Sequence, residues 1–200
     1  MHSRKPLPSS DVSKRLDVTV NANSSDWPAS IASKPAATVF FSALATNRAA
    51  GGDQLAIDLE LNVALAQAAF AAGTKVYVLI SALGANPASR IGYAKVKGEL
   101  EEAVARVGFD ATIVLRPGMI VGGERESMGV AERVLRGVAG GMGMVAAGLK
   151  DSWAQEAEVV ARAAVAAGLA ALEGEAKKSE FVVVAMADIV RLGRTEWTEG

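Results

Sequence analysis

Short apolar runs alternate with longer segments of helical periodicity along most of the chain. Three continuous apolar runs have the length and the β-branched or aromatic content of buried strands, and they cover 36–44, 75–81 and 111–115. The segments between them, 54–72 and about 92–107, carry apolar residues at helical spacing. The order strand, helix, strand, helix, strand predicts an α/β fold with a Rossmann-like, doubly wound parallel sheet.

Both flanks of this pattern are less regular. Residues 1–35 are polar and largely irregular, with weak alternation only at 16–20. Beyond Gly118 the pattern predicts further elements: a helix at 127–138, a Gly- and Met-rich stretch at 139–148, an Ala-rich helix at 154–172, a strand at 181–185 and a helix at 187–192. Because no repeat or linker separates these parts, we predict one domain over 1–200, in which about 120–200 form the substrate-side, C-terminal part.

Composition excludes several classes of site. The net charge is −1 and no long basic run is present, so we expect no nucleic-acid partner. The chain has no cysteine, which rules out disulfides, thiolate metal sites and cysteine nucleophiles. Its only histidine is His2, near the end of the chain, so we expect neither a histidine-based triad nor a metal site. No segment has the length and apolarity of a membrane span.

A candidate catalytic group lies around the second predicted strand. Tyr93 and Lys97 are four residues apart on a predicted helix, so they project from one face. If that helix packs beside the end of the strand, then Ser81, Tyr93 and Lys97 can converge on one carbonyl. Ligands of parallel doubly wound sheets bind beyond the carboxyl ends of the strands. Such a group would equip a hydride-transfer enzyme. The spacing of Tyr93 and Lys97 alone, however, more often means a half-buried tyrosine and a solvated lysine on an unrelated helix.

Separate segments carry a resemblance to a known family. They are DLELN at 58–62, VYVLISALGA at 76–85, YAKVKGELE at 93–101, TIVLRPGMIVGGERES at 112–127 and DIVRLGRTEW at 188–197. From about residue 38 onward the chain resembles the short-chain dehydrogenase/reductase superfamily, in its atypical, extended-like branch. More closely, it resembles the fungal mitochondrial outer-membrane family that is related to the animal Tat-interacting protein of 30 kDa.

The resemblance implies catalytic roles. Tyr93 would be the general acid or base, and Lys97 would lower its pKa from about 10 and hold the nicotinamide ribose hydroxyls. Ser81 would polarise the substrate carbonyl. The family usually has two serines at this strand end, and the second is Ala82 here, so the position of the required hydroxyl stays open. Asn62 would support a proton path through a water, or it is a polar residue on a helix flank.

The resemblance also implies NADP(H) as cofactor. Besides Tyr93 and Lys97, it assigns cofactor contacts to Arg4, to Ala43, Leu44 and Ala45, and to Pro117, Gly118 and Met119. Arg4 could face the 2′-phosphate of NADP or belong to a mobile basic terminus. The loop at 43–45 carries alanines where the family has glycines, which adds a Cβ on the path of the adenosine ribose and phosphates. The loop at 117–119 would meet the nicotinamide carboxamide or simply stop a strand.

One family motif is missing from the sequence. A dinucleotide fold uses a Gly-rich turn after its first strand to bring the backbone close to the pyrophosphate. No TGxxGxxG-like turn is present, and the glycine pairs at 51–52, 122–123 and 140–141 lie in other contexts. We therefore expect an N-terminally truncated family member that lacks the first strand and helix, and we leave open whether this chain binds NADP(H).

These observations support an atypical short-chain dehydrogenase-like protein, of NADP type by ancestry, with a small carbonyl or alcohol substrate. The alternatives are a non-catalytic interaction or scaffold protein at the mitochondrial outer membrane and an inactive fragment of a mispredicted gene. The resemblance implies a peripheral position on the mitochondrial outer membrane, and without it we would expect a cytoplasmic protein. A homodimer is a further expectation.

Overall fold

The computed structural model describes residues 2–3, 19–35, 37–46, 55–121, 153–174 and 179–198. In chain order the strands are β1 (His2–Ser3), β2 (Thr19–Val20), β3 (Val39–Ser42), β4 (Val76–Ile80), β5 (Ala111–Leu115), β6 (Met119–Val121), β7 (Ala154–Glu156) and β8 (Glu180–Val184). The α-helices are α1 (Trp27–Ala32), α2 (Asn62–Ala72), α3 (Gly92–Ala105), α4 (Ala157–Leu172) and α5 (Met186–Val190). A 3-10 turn spans Ser24–Asp26, and π-helical turns span Ala56–Leu61 and Arg191–Thr195.

The central sheet has the strand order β3-β4-β5-β8, and every pairing in it is parallel. One row of the register runs from Val39 through Val76 and Ala111 to Glu180. Two shorter parallel pairs, β1 with β2 and β6 with β7, form separate sheets. Because all central strands point the same way, their carboxyl ends meet at one edge, where the loops that follow β3, β4 and β5 lie together.

Helices cover both faces of the central sheet. Alternate strand residues form one core with α4 and α5, which includes Val76, Val78, Ile113, Leu115, Val184, Val159, Val160, Ala163 and Ile189. The residues between them face the other way and pack with α2 and α3, in a core that includes Tyr77, Leu79, Val114, Ala66, Leu100, Val104 and Phe109. A third cluster joins Trp27 of α1 to Leu61 and Leu65. This arrangement confirms the predicted α/β, doubly wound parallel fold.

The predicted elements that lie within the described residues are confirmed with shifted bounds, whereas helix α1 and the short strands β6 and β7 were not predicted. Within the N-terminal region that was predicted to be largely irregular, the structure has helix α1, and Pro28 lies in its first turn, where the missing amide hydrogen costs nothing. At the start of the Ala-rich helix, 154–156 form strand β7, so the helix begins at Ala157. The helix predicted at 127–138 lies outside the described residues. Within the described ranges, no helix combines the length and apolarity that crossing a bilayer requires.

Candidate active site

Backbone hydrogen bonds tie the carboxyl ends of the central strands together. The Ser81 amide donates to the Leu115 carbonyl at 2.8 Å, and the Arg116 amide donates to the Val184 carbonyl at 3.0 Å. One step further out, the Leu83 amide donates to the Pro117 carbonyl at 2.8 Å. The segments 81–83 and 116–117 therefore form a fixed stretch of backbone at the carboxyl edge of the sheet, which we call the ledge. The candidate side chains lie on or next to it.

Helix α3 is held close to this ledge by a glycine. A Cβ on Gly98 would lie 2.2 Å from the Pro87 nitrogen, so only glycine permits this approach of the helix to the segment after β4. The Asn86 amide also donates to the Ala94 carbonyl at 2.9 Å. The close contact orients the face of α3 that carries Tyr93 and Lys97 toward the strand ends.

The structure brings Tyr93 and Lys97 together. The Lys97 ammonium lies 5.9 Å from the centre of the Tyr93 ring, within range of a cation–π contact. The Lys97 side chain is 1% exposed, whereas Tyr93 is 38% exposed. Within the described part of the chain, the buried ammonium nitrogen has no hydrogen-bond partner. A buried cation with unused donors beside a phenol that reaches solvent is able to receive a polar ligand.

Two buried carboxylates offset the cost of this cation. Burial lowers the pKa of Lys97, while the charges of Asp58 and Glu101 act in the opposite direction. Asp58 is fully buried on the π-helical turn, and its Oδ1 accepts the Thr46 amide at 2.5 Å. Glu101 lies one turn after Lys97 on α3. The lysine therefore stands between acidic groups from two elements, yet neither forms a hydrogen bond with its nitrogen.

Ser81 is directed toward Glu101. Its Oγ donates to Glu101 Oε1 at 2.5 Å, and both side chains are buried. Arg116 completes the group, because its Nε donates to Glu101 Oε1 at 3.1 Å and its second nitrogen donates to Oε2 at 2.5 Å. This hydrogen bond to Glu101 also raises the pKa of Arg116. The hydroxyl predicted to polarise a substrate carbonyl is thus engaged in a hydrogen bond inside the protein.

Asn62 has a saturated hydrogen-bond environment. Its Oδ1 accepts the Ser42 hydroxyl at 2.6 Å, and its Nδ2 lies 3.3 Å from the Leu44 carbonyl oxygen. The same nitrogen approaches the carbonyls of Ile57 at 3.2 Å and Asp58 at 3.3 Å in the π-helical turn. The amide therefore ties the loop after β3 to the helix. A role in a proton path stays a prediction.

The predicted cofactor loop after β3 is only partly accessible. Ala43 and Ala45 are exposed, and Leu44 is half-buried against the cluster around Trp27. The alanine side chains occupy the surface over which the resemblance would route the ribose and phosphates. Arg4 lies outside the described residues, so its predicted contact with a 2′-phosphate stays a prediction.

The backbone amides of the predicted carboxamide loop already have acceptors. The Gly118 amide donates to Oε1 of the buried Gln155 at 2.7 Å, and the Met119 amide donates to the Trp153 carbonyl at 2.9 Å. Pro117 is buried and its carbonyl accepts from Leu83. These groups hold the ledge in place, and contacts from this loop to a ligand would have to come from the remaining carbonyls and the exposed Met119 side chain.

No role had been predicted from the sequence for Asp58, Glu101, Gln155 or the side chain of Arg116. A signal existed for Glu101, because it follows Lys97 by four residues and therefore shares its helix face. Arg116 directly follows a predicted strand, which places it at the carboxyl edge. Gln155 carried no such signal, since its function depends on the β6–β7 pairing that brings it beside Gly118.

The residues present fit part of a nicotinamide cofactor. The Lys97 ammonium, which has no hydrogen-bond partner among the described residues, can donate hydrogen bonds to ribose hydroxyls, and the Tyr93 phenol next to it can exchange a proton with a substrate oxygen. The described strand ends contain no Gly-rich turn for the pyrophosphate. The fit is therefore good at the reacting end and poor at the phosphates.

Solved structures share the fold. MoeE5 in complex with UDP-glucose and NAD superposes with a TM-score of 0.62 at 13% identity, over 97% of this chain and 72% of that chain. A UDP-galactose 4-epimerase superposes with a TM-score of 0.54 at 16% identity, over 87% of this chain and 63% of that chain. At these identities the likeness supports the Rossmann-like architecture and nothing more specific.

Relatives identify the family. No family model matches the chain. It is 46% identical to the mitochondrial protein fmp52 of Aspergillus niger over 198 residues, which cover 96% of this chain and 84% of that protein. It is 41% identical to the mitochondrial protein fmp-52 of Neurospora crassa over 194 residues, covering 94% and 80%. The expected fungal mitochondrial family is thereby confirmed, whereas the outer membrane and the animal relationship stay predictions. The chain belongs to the Fmp52 family, whose members are named as mitochondrial proteins.

Proposed function

We propose that this protein is an atypical short-chain dehydrogenase of NADP type that reduces or forms a carbonyl at the carboxyl edge of its sheet. The single observation that carries the proposal is that the buried ammonium of Lys97, beside Tyr93, has no hydrogen-bond partner among the residues that the structure describes. A purely structural lysine would extend into water or pair with a carboxylate, because an unpaired buried charge is costly. A cation kept in this state is instead explained by a ligand that it binds.

In this account each side chain has one task. Tyr93 gives a proton to the substrate oxygen during reduction, or takes it during oxidation. The charge of Lys97 favours the phenolate form of Tyr93, and its ammonium donates to the hydroxyls of the cofactor ribose. The nicotinamide cofactor supplies the hydride when it is bound. The charges of Asp58 and Glu101 oppose the lowering of the Lys97 pKa that burial causes.

The substrate is proposed to be apolar around its carbonyl. Large apolar side chains are exposed on the segments that follow β4 and β5, namely Leu83, Ile91 and Met119. Trp153, whose carbonyl accepts the Met119 amide, is exposed as well. Exposed apolar side chains on adjoining segments favour an apolar ligand. By its resemblance to the mitochondrial outer-membrane family, the protein would work as a peripheral protein of that membrane.

The test is turnover of NADPH with a panel of aliphatic and aromatic aldehydes and ketones. We expect the wild-type chain to oxidise NADPH with at least one member, because Tyr93, the proposed acid, lies beside Lys97, the proposed ribose-binding cation. Tyr93→Phe should lose at least about a hundredfold in kcat while its affinity for NADPH is retained, since only the proton donor is removed. A Tyr93→Phe enzyme with wild-type kcat would contradict the assigned role.

A second candidate is a non-catalytic interaction protein at the same membrane. The absence of a TGxxGxxG-like turn from the sequence and the alanines at 43 and 45 favour it, because both weaken the phosphate site. Failure of NADPH to bind at all would select this candidate over the enzyme.

A further inference from the structure

A second polar group, outside the Tyr93–Lys97 pair, joins the buried Glu101 and Ser81 to the partly exposed Arg116 at the same edge of the sheet. Glu101 is 3% exposed and Ser81 is 5% exposed, and the Arg116 side chain covers them from the next strand. The three residues come from three elements: the end of β4, helix α3 and the end of β5. One carboxylate thus receives a hydroxyl and a forked guanidinium from two neighbouring strands.

This second polar group is connected to the site through helix geometry. Glu101 follows Lys97 by one turn and Tyr93 by two turns, so the three side chains lie along one face of α3. A helix that is fixed at Glu101 and pressed onto Pro87 at Gly98 has little freedom to rotate or slide. The orientation of Lys97 and Tyr93 toward the strand ends then depends on the Glu101 contacts.

We propose that Glu101 is a positioning residue of this site, and that Ser81 and Arg116 serve as its two anchors on the sheet. This inference rests on the proposed function, because the positions of Tyr93 and Lys97 affect activity only if these residues take part in catalysis. In this account, Ser81 no longer polarises the substrate. Its hydroxyl donates to Glu101 and so links strand to helix, and Tyr93 forms the hydrogen bond to the substrate carbonyl.

The contacts of Glu101 with Ser81 and Arg116, which we call the clamp, require all three residues. A buried carboxylate that accepts only one hydrogen bond would be poorly compensated, and the forked guanidinium of Arg116 provides two parallel donors. Lysine in place of arginine keeps the charge but loses the fork. Ser81 and Arg116 therefore donate different kinds of hydrogen bonds to the Glu101 carboxylate, and loss of either donor should make helix α3 more mobile.

The experiment uses the complete chain without cofactor or substrate. The protein has two tyrosines, so ¹³C-labelled tyrosine gives one ring signal for Tyr93 and one for the buried Tyr77. Hydrogen exchange of the α3 amides is measured in parallel. The variants are Glu101→Gln, Ser81→Ala and the milder Arg116→Lys. Glu102→Gln is the matched control, because Glu102 is the next residue on α3 and forms an exposed pair with Arg106.

We expect Glu101→Gln and Ser81→Ala to shift the Tyr93 signal in the same direction and to leave the Tyr77 signal in place. Exchange of the α3 amides should become faster by about tenfold or more, which corresponds to one lost charge-assisted hydrogen bond. The double variant should add little to Glu101→Gln, because both changes open one clamp. Arg116→Lys should give a smaller change of the same kind, and Glu102→Gln should give none.

Unchanged Tyr93 signals and exchange rates in Ser81→Ala and Arg116→Lys would overturn the proposal, as would fully additive effects of Ser81→Ala and Glu101→Gln. If Glu101→Gln does not fold, the Tyr93 signals and α3 exchange rates of Arg116→Lys and Ser81→Ala are sufficient to test the proposal. Because no cofactor is used, this outcome is independent of turnover. A chain that shows the clamp but never binds NADPH refutes the proposed function and leaves the contacts intact.

Discussion

At the scale of single residues, the candidate site is defined by where burial and charge conflict. Lys97 is buried almost completely, and within the described residues its nitrogen has no hydrogen-bond partner. The nearby carboxylates of Asp58 and Glu101 are engaged with other donors, the Thr46 amide and the side chains of Ser81 and Arg116. The burial of the Lys97 charge therefore lowers the stability of the protein, and unfavourably buried ionisable groups are characteristic of functional sites.

This conflict predicts the stability of Lys97→Met as a function of pH. Burial lowers the pKa of Lys97 in the folded chain below its ordinary value of 10.5. Between these two pKa values the unfolded chain holds a proton that the folded chain has lost, so the stability of the wild type rises with pH across that window. At neutral pH, Lys97→Met should be more stable than the wild type by about 1 kcal/mol, since a desolvated charge is removed.

That advantage should shrink as the pH approaches the ordinary pKa of lysine, which chemical denaturation at a series of pH values measures. Lys95→Met is the control, because Lys95 is exposed on the same helix and pairs with Glu99 at the surface. An advantage of Lys97→Met that stays constant over the whole pH series would contradict the assigned cause.

At the scale of elements, the backbone pattern was predictable and the side-chain pairings were not. The runs at 75–81 and 111–115 became β4 and β5 because β-branched residues fit a sheet that is buried on both faces. The brief strand β7 could not be predicted, since three residues carry no periodicity and depend on pairing with β6. Helix α1 was missed because residues 1–35 show no helical periodicity, although Pro28 is well accepted in the first turn of a helix.

The same division holds for the site. Spacing on one helix placed Tyr93 and Lys97 side by side, because that relation is local in sequence. The bond from Ser81 to Glu101 joins residues on different elements, and it depends on how α3 packs on the sheet. Long-range pairings of this kind follow from packing, which a periodic pattern does not encode.

Helix α3 is also the element whose position is most easily tested. Gly98→Ala should displace the helix or destabilise the fold by about 1–3 kcal/mol, because its Cβ would meet the backbone at Pro87. Gly92→Ala is the matched control on the same helix, since a Cβ there meets nothing within 4 Å. Thermal unfolding of both variants gives the comparison. Equal melting temperatures for Gly98→Ala and the wild type would show that the helix does not approach this closely.

At the scale of the whole molecule, the parallel sheet collects the candidate residues at one edge. Segments after β4 and β5 are tied by backbone hydrogen bonds, and α3 lies against them. Under the proposed function, this edge would supply the reacting half of a dehydrogenase site, whereas a phosphate-binding Gly-rich turn is not apparent in the sequence. The central claim is that this edge nevertheless binds a nicotinamide cofactor through Lys97.

Calorimetric titration of NADPH into the wild-type chain, Lys97→Met and Lys95→Met tests this claim most directly. The account predicts binding to the wild type in the micromolar range, binding to Lys97→Met that is weaker by about tenfold to a hundredfold, and unchanged binding to Lys95→Met. The absence of any binding heat from the wild type at millimolar NADPH, or equal affinities for the wild type and Lys97→Met, would contradict it.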